Sequence, residues 1–298
     1  MSDAEGGDHT RLESRIAEYW NVQPPFSAEH GAPGTLRWSR SIAEHRYRVI
    51  PYLREWARFE AYGGKRVLEI GCGAGTDFCE FARGGAYVTG VDITTAAIDL
   101  TSRRLDAEGL TGRVIRYDGR RLPFEAASFD LVYAFGVLHH TPFMDDLLAD
   151  IYRVLAPGGE LKMMVYHRHS LLYYFSILYL RQWRQEQGAI SREDALSRYS
   201  EFRNGCPYTR VLSPAEVKAR LWFFDRVEPT VDYCVHDDLN ARKLPGDRTF
   251  DVETTGIIDV DRFFDEFNDT VRTGADLRRY GWHLLVRAER GVEGPTIR

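Results

Sequence analysis

The chain has no CxxC pair, no excess of positive charge and no apolar run near 20 residues. Each absence excludes something. Four cysteines in 298 residues, Cys72, Cys79, Cys206 and Cys234, lack the spacing of a zinc or disulfide framework and read as free thiols of a reducing cytosol. A net charge of −5 leaves no basic stripe for nucleic acid. Without a long apolar run there is no membrane span. Repeats and low-complexity segments are also missing. Met1–Asp8 is acidic and glycine-rich, unlike a signal peptide, and is expected to be disordered. What remains is a cytoplasmic chain long enough for a sizeable core, as one large domain or one plus a cap.

The most informative stretch is Arg66-Val67-Leu68-Glu69-Ile70-Gly71-Cys72-Gly73-Ala74-Gly75. A short apolar run ends in an acid and breaks into glycines at alternate positions. That pattern reads as a strand feeding a tight turn whose backbone lies bare against a ligand, since glycine takes φ > 0 and carries no Cβ. A dinucleotide fingerprint wants glycines at first, third and sixth place. Here they fall at first, third and fifth, and Thr76 holds the sixth.

Asp92 is the second half of the pattern. It ends the run Ala86-Tyr87-Val88-Thr89-Gly90-Val91, 17 residues past Gly75, which suits one helix, a turn and a strand. An acid at the end of the second strand accepts hydrogen bonds from ribose hydroxyls. NAD satisfies Asp92 but would bring a pyrophosphate near Glu69, a like-charge conflict. A ligand with adenosine and no phosphate avoids it.

The rest of the core alternates. Strands are expected near 66–70, 86–92, 113–118, 129–135 and 160–166, and helices near 75–83, 94–108 and 143–155. Such alternation builds a parallel sheet with helices on both faces, with ligands off the carboxyl ends of its strands. Before it, His9–Trp20 has helical spacing, 21–34 reads as a loop, and Leu36–Glu60 reads as two helical pieces broken near Pro51. After it, Leu171–Trp183 is apolar nearly all round and reads as a buried helix. Ser191–Phe202 is a further helix, and Ser213-Pro214-Ala215-Glu216 starts another. Two last strands are expected near Phe224–Pro229 and Trp282–Ala288.

Glu69–Gly75 resembles the signature loop of class I S-adenosylmethionine-dependent methyltransferases. Leu122-Pro123-Phe124, Ser128–Val132, Gly136-Val137-Leu138-His139-His140 and Arg153–Leu161 resemble that family's fourth strand, its continuation and the turn before its fifth. Glu44-His45-Arg46-Tyr47, Tyr166–Ser170 and Gly281–Val286 resemble segments of a bacterial small-molecule branch. The resemblance implies a Rossmann-like α/β fold. Its seven-stranded sheet is mostly parallel, with the last strand antiparallel between strands five and six. An N-terminal helical cap (1–60), a cofactor-binding core (61–168) and helical insertions with the final strands (169–290) complete it. The implied cofactor is S-adenosyl-L-methionine, held by Glu69, Gly71, Cys72, Gly73, Gly75, Asp92, Ile93, Asp118, Gly119 and Phe135. Asp118 and Gly119 stand where the family binds the adenine amino group. Phe135 passes beneath the sulfonium and methionyl end. The stretch Thr230–Tyr280 is longer than the family pattern.

Histidine titrates in the range of a general base. His139 and His140 follow the fourth strand, and His167 and His169 follow the fifth. His139, His140 and His167 are therefore candidate catalytic groups, with Tyr47 of the cap. One of the first pair could instead hold backbone, and His167 with His169 shares a strand face that could grip a metal; no metal is assigned. The expected function is methyl transfer to a small-molecule acceptor, an aromatic, amino or isoprenoid metabolite. The alternatives are a protein or RNA methyltransferase and a non-catalytic cofactor-binding module. No oligomeric state is implied.

Overall fold

The computed structural model describes residues 3–21, 31–201, 205–232 and 252–293, with side chains from residue 11 onward. Residues 22–30, Cys234 and most of the first half of the 230–280 stretch lie outside the described residues. The chain divides into two compact units. The first is Met1–Met163 with Arg220–Glu228 and Val286–Arg298; the second is Met164–Ala219 with Pro229–Leu285.

The first unit opens with α1 (Asp3–Trp20), α2 (Leu36–Val49) and α3 (Leu53–Ala57). α1 begins at Asp3, where the sequence reading expects disorder. Thr35 caps α2 by accepting from Trp38 N. The break between α2 and α3 falls at Pro51, which has no N–H to continue a helix.

β1 (Arg66–Ile70), α4 (Thr76–Arg83), β2 (Tyr87–Asp92), α5 (Thr95–Glu108), β3 (Arg113–Arg116), β4 (Phe129–Phe135), α6 (Met144–Val154) and β5 (Leu155–His167) follow. β1 runs parallel to both β2 and β4, and β2 parallel to β3. Val67, Leu68 and Ile70 of β1 are fully buried, as a central parallel strand requires. Phe59, Phe81 and Tyr133 meet edge to face at 4.8 and 5.2 Å beside it.

β6 (Val211–Leu212), β7 (Arg226–Asp232) and β8 (His283–Glu289) complete the sheet, whose order is β3-β2-β1-β4-β5-β8-β7 with β6 on β5. The last strand lies between the fifth and the strand expected as the sixth. It runs antiparallel to β5: Gly158 N donates to Arg290 O, Arg290 N to Gly159 O, and His167 N to Trp282 O. That pairing draws Pro157-Gly158-Gly159 into β5, where the sequence suggests a turn. The sheet has eight strands rather than seven. The extra one is β6, two residues held parallel to Tyr166 and His167.

In the second unit the apolar run forms a π-helix, Leu172–Gln185, which ends with Glu186 N donating to Arg181 O five residues back. It packs with α7 (Arg192–Tyr199) and α9 (Ile258–Thr273) in an aromatic cluster where Tyr174 stacks on Phe263 at 4.2 Å. α8 (Pro214–Arg220) starts with a reciprocal cap between Ser213 and Glu216. Among the described residues, no helix is long and apolar enough to cross a membrane.

Candidate functional site

Past β1 the backbone turns through Gly71, Gly73 and Gly75, all left-handed, with φ of 73°, 54° and 69°. Two of these glycines are required by the protein itself. A Cβ on Gly71 would stand 2.4 Å from Val137 Cγ2, and one on Gly75 would stand 2.9 Å from Thr101 Cγ2. Around Gly73 the nearest atom would be Gly71 O at 4.0 Å. The middle glycine is thus the open one. Gly71 N donates to Val91 O, and Thr101 Oγ1 donates to Gly73 O at 3.1 Å, which fixes the loop against β2 and α5. Cys72 is buried in the loop, and burial pushes its thiol up, so it stays neutral.

Asp92, buried at the end of β2, joins the loop directly. Its Oδ2 accepts from Gly73 N at 3.1 Å, and its Oδ1 accepts from Thr94 N and Thr94 Oγ1 at 2.9 Å each. Burial raises its carboxyl against the pull of these donors. Ile93 packs on the turn after β3, where a Cβ on Gly119 would meet Ile93 Cγ2 at 3.2 Å. Asp118 Oδ1 accepts from Arg120 N and closes that turn. Asp92, Ile93, Asp118 and Gly119 therefore come together at neighbouring strand ends, beside the loop.

The acids next to the loop differ sharply. Asp77, in the first turn of α4, accepts from Arg46 Nε and Nη2, from Tyr47 Oη at 2.9 Å and from Tyr133 Oη at 2.8 Å. Burial favours its neutral form, but the Arg46 guanidinium and the hydroxyl donors overcome that and hold its carboxyl below the ordinary value. Glu69 has no such company. Its Oε2 is buried without a hydrogen-bond partner among the described residues. Burial, with Asp77 and Asp92 nearby, pushes its carboxyl well above the usual range. Tyr47, a candidate for catalysis in the sequence, has its hydroxyl engaged by Asp77. Burial and that carboxylate raise its phenol.

At the end of β4, Phe135 carries the Arg46 guanidinium over its ring at 4.9 Å and Trp56 at 6.0 Å. Gly136 turns with φ 79°. His139 and His140 follow, both buried, their rings 4.1 Å apart, with Trp20 of α1 5.0 Å from His140. The helical cap therefore reaches this corner. His167 lies in the second unit, where its Nδ1 bonds Gly281 O at 3.1 Å. Burial lowers it to about 4, which keeps it neutral at pH 7. His167 and His169 have ring centres 5.9 Å apart. Among the described residues, no group of three side chains is arranged to hold a metal.

Sequence reasoning misses Asp77, Arg46 and Tyr133 as a group. The available signal is an acid two residues past a ligand loop, facing an Arg-Tyr pair on a preceding helix.

The residues fit an adenosine-bearing sulfonium. Gly73 leaves an open approach and Asp92 stands beside it. Glu69 is a buried acid with one carboxylate oxygen, Oε2, lacking a hydrogen-bond partner among the described residues, and suits a positive charge. A pyrophosphate would add negative charge beside Glu69 and Asp92, which already lie near each other.

The methyltransferase domain family matches residues 68–163. Phthiotriol/phenolphthiotriol dimycocerosates methyltransferase 1 of Mycobacterium ulcerans is 41% identical over 138 residues, which is 46% of this chain and 50% of that protein. The ubiquinone biosynthesis O-methyltransferase of Psychrobacter cryohalolentis is 30% identical over 168 residues, 54% of this chain and 63% of that one. The chain thus spans about half to three fifths of the length of these relatives. Geranyl diphosphate C-methyltransferase from Streptomyces coelicolor A3(2) was solved with Mg2+, geranyl diphosphate and S-adenosyl-L-homocysteine. It superposes with a TM-score of 0.53 at 16% identity, covering 94% of this chain and 97% of that one. That likeness is one of fold.

Proposed function

We propose that this chain, whose core domain belongs to the class I S-adenosylmethionine-dependent methyltransferases, methylates a small-molecule acceptor, an aromatic, amino or isoprenoid metabolite of cofactor or natural-product biosynthesis. The observation that carries the proposal is the junction of Gly73 N with Asp92 beside Glu69, whose Oε2 is buried without a hydrogen-bond partner among the described residues. Asp92 holds the ribose hydroxyls. Ile93, Asp118 and Gly119 bound the adenine, and Glu69 meets the cationic end near Phe135. Once bound, S-adenosylmethionine supplies a methyl group activated by its sulfonium.

The protein's own share is positioning. Holding an acceptor in line behind the methyl is worth about 7–11 kcal/mol. Where the acceptor must lose a proton, His139 or His140 takes it, for about 10²–10⁴ in rate. The names of the relatives, a phthiotriol/phenolphthiotriol dimycocerosates methyltransferase and a ubiquinone biosynthesis O-methyltransferase, support a small-molecule acceptor.

Incubating the protein with methyl-labelled S-adenosylmethionine and host extract, then separating products by size, tests the reading. Label in the small-molecule fraction supports it. Label in protein or RNA overturns it.

A further inference from the structure

We infer that Arg104 is a positioning residue of the cofactor site: it holds the glycine loop in its ligand-binding form and makes that form depend on the seating of cap helix α2. The inference rests on the assignment of the loop to S-adenosylmethionine above.

Arg104 lies on α5, and its side chain is 1% exposed. Its Nε donates to Glu108 Oε1 at 3.0 Å, one turn along the same helix. An ion pair at that spacing is ordinary on a helix surface. Here it is buried, and the other bonds of the guanidinium all leave α5. Nη1 donates to Thr76 Oγ1 at 2.9 Å and to Ala74 O at 3.3 Å, at the end of the glycine loop and the start of α4. Nη2 donates to Ser39 O at 2.9 Å, on α2. Glu108 balances the charge, and it also accepts from Ser39 Oγ and from Arg83. The bonds to loop and cap therefore supply direction rather than neutralisation.

Helix α5 grips the loop at two successive carbonyls. Thr101 Oγ1, one turn before Arg104, donates to Gly73 O at 3.1 Å, and Arg104 donates to Ala74 O. In a trans peptide the N–H points opposite to the C=O, so the Ala74 N–H is turned away from α5. Ala74 is also where the loop meets the cap. Its side chain packs against a cluster of Trp38 and Ile42 from α2 with Leu100 from α5. The Arg104 guanidinium lies 5.8 Å from the centre of the Trp38 ring. Withdrawal of α2 would take Ser39 O from the guanidinium and the apolar support from Ala74. Loss of the guanidinium would leave Ser39 O and Ala74 O without their donor. Loop order and cap seating are thus coupled, and by linkage a ligand that binds the ordered loop also seats the cap. Lysine does not replace this fork, since one ammonium on a flexible stem does not hold acceptors on α5, the loop and α2 in a fixed geometry.

Two measurements on the full chain test this. The first is calorimetric titration with S-adenosylmethionine and with S-adenosylhomocysteine. The second is hydrogen exchange of the α2 amides, Leu36–Val49, with and without S-adenosylhomocysteine. In the wild type, the bound probe is expected to slow exchange in α2. Arg104→Lys should weaken both probes at least about fivefold and reduce that protection. Glu108→Gln keeps the guanidinium but removes the charge that holds it. It should move both readings in the same direction, and it carries the test if Arg104→Lys misfolds. Leu105→Ala is the control for stability alone, since Leu105 is buried on the same helix beside Gly112. It should lower the melting temperature and keep both the affinity and the protection. Wild-type affinity in folded Arg104→Lys overturns the inference. So does weakened binding with undiminished protection of α2, or no protection in the wild type. An equal affinity loss in Leu105→Ala also overturns it, because the loss then follows stability. A folded wild type that binds neither probe overturns the cofactor assignment, and the inference with it.

Discussion

Arg46 meets Asp77 edge-on, with Nε 2.8 Å and Nη2 2.6 Å from the two carboxylate oxygens. This pair joins α2 of the helical cap to the first turn of α4, directly behind the glycine loop. Tyr47 and Tyr133 complete it, so one buried acid ties together α2, α4 and β4. The Arg46 side chain is 28% exposed and that of Asp77 is 2% exposed, so water screens the pair weakly.

Removing one partner leaves the other charge buried. Asp77→Asn is therefore expected to cost about 3–5 kcal/mol of stability, and the double variant Arg46→Met/Asp77→Leu to cost less than the single one. Urea unfolding at pH 7 measures both. The carboxyl of Asp77 is held below its ordinary 3.8, so its contribution is complete above that pH and is lost as pH falls through the folded value. The gap between wild type and Asp77→Asn should narrow on acidification below about pH 4. A gap that stays constant would show that Asp77 does not titrate this way.

The three loop glycines should separate under substitution. Gly71→Ala forces a Cβ to 2.4 Å from Val137, and overpacking of this kind costs about 1–3 kcal/mol. Gly73→Ala has room for its Cβ and pays about 1–2 kcal/mol for the left-handed backbone alone. Its main effect should be on ligand affinity. Thermal melting and cofactor titration on the two variants check this: a larger melting loss for Gly71→Ala, a larger affinity loss for Gly73→Ala. Equal affinity in Gly73→Ala and wild type would mean that the open side of the loop does not face the ligand.

Lys162, on β5, is 1% exposed and donates to the carbonyls of Trp56 and Ala57 at the end of α3. Burial lowers its ammonium from 10.5 to about 8, with Glu160 opposing the shift. Between those two values the unfolded chain binds the extra proton, so stability should rise with pH across that window, by about 3 kcal/mol at most. Lys162→Met should abolish the rise. Chemical denaturation from pH 7 to pH 10.5 measures it, and a falling curve in the wild type would contradict the assignment.

The glycine loop, Asp92 and the break at Pro51 were legible because each rests on local chemistry: φ > 0 at glycine, an acid closing a strand, a missing N–H. The Asp77 cluster was not. Its members stand 30, 31 and 56 residues apart from Asp77, and Asp77 alone reads as an ordinary first-turn acid. The start of β5 at Leu155 was hidden for a similar reason, since Gly158 and Gly159 look like a turn until Arg290 pairs with them. In the apolar run the composition shows a buried helix, but nothing in it separates bonds to the fifth residue from bonds to the fourth. His167 reads as a base from its place after a strand; its burial against Gly281 O depends on residues more than a hundred positions later.

The most direct test of the cofactor assignment is calorimetric binding of S-adenosylmethionine and of NAD to the wild type and to Asp92→Ala. Each hydrogen bond to a charged group is worth about 1.5–3 kcal/mol, so losing the ribose contacts should weaken S-adenosylmethionine at least about tenfold. The account predicts binding of S-adenosylmethionine by the wild type, no comparable binding of NAD, and that loss in Asp92→Ala with the fold intact. Tighter binding of NAD, or unchanged affinity for S-adenosylmethionine in folded Asp92→Ala, would contradict it.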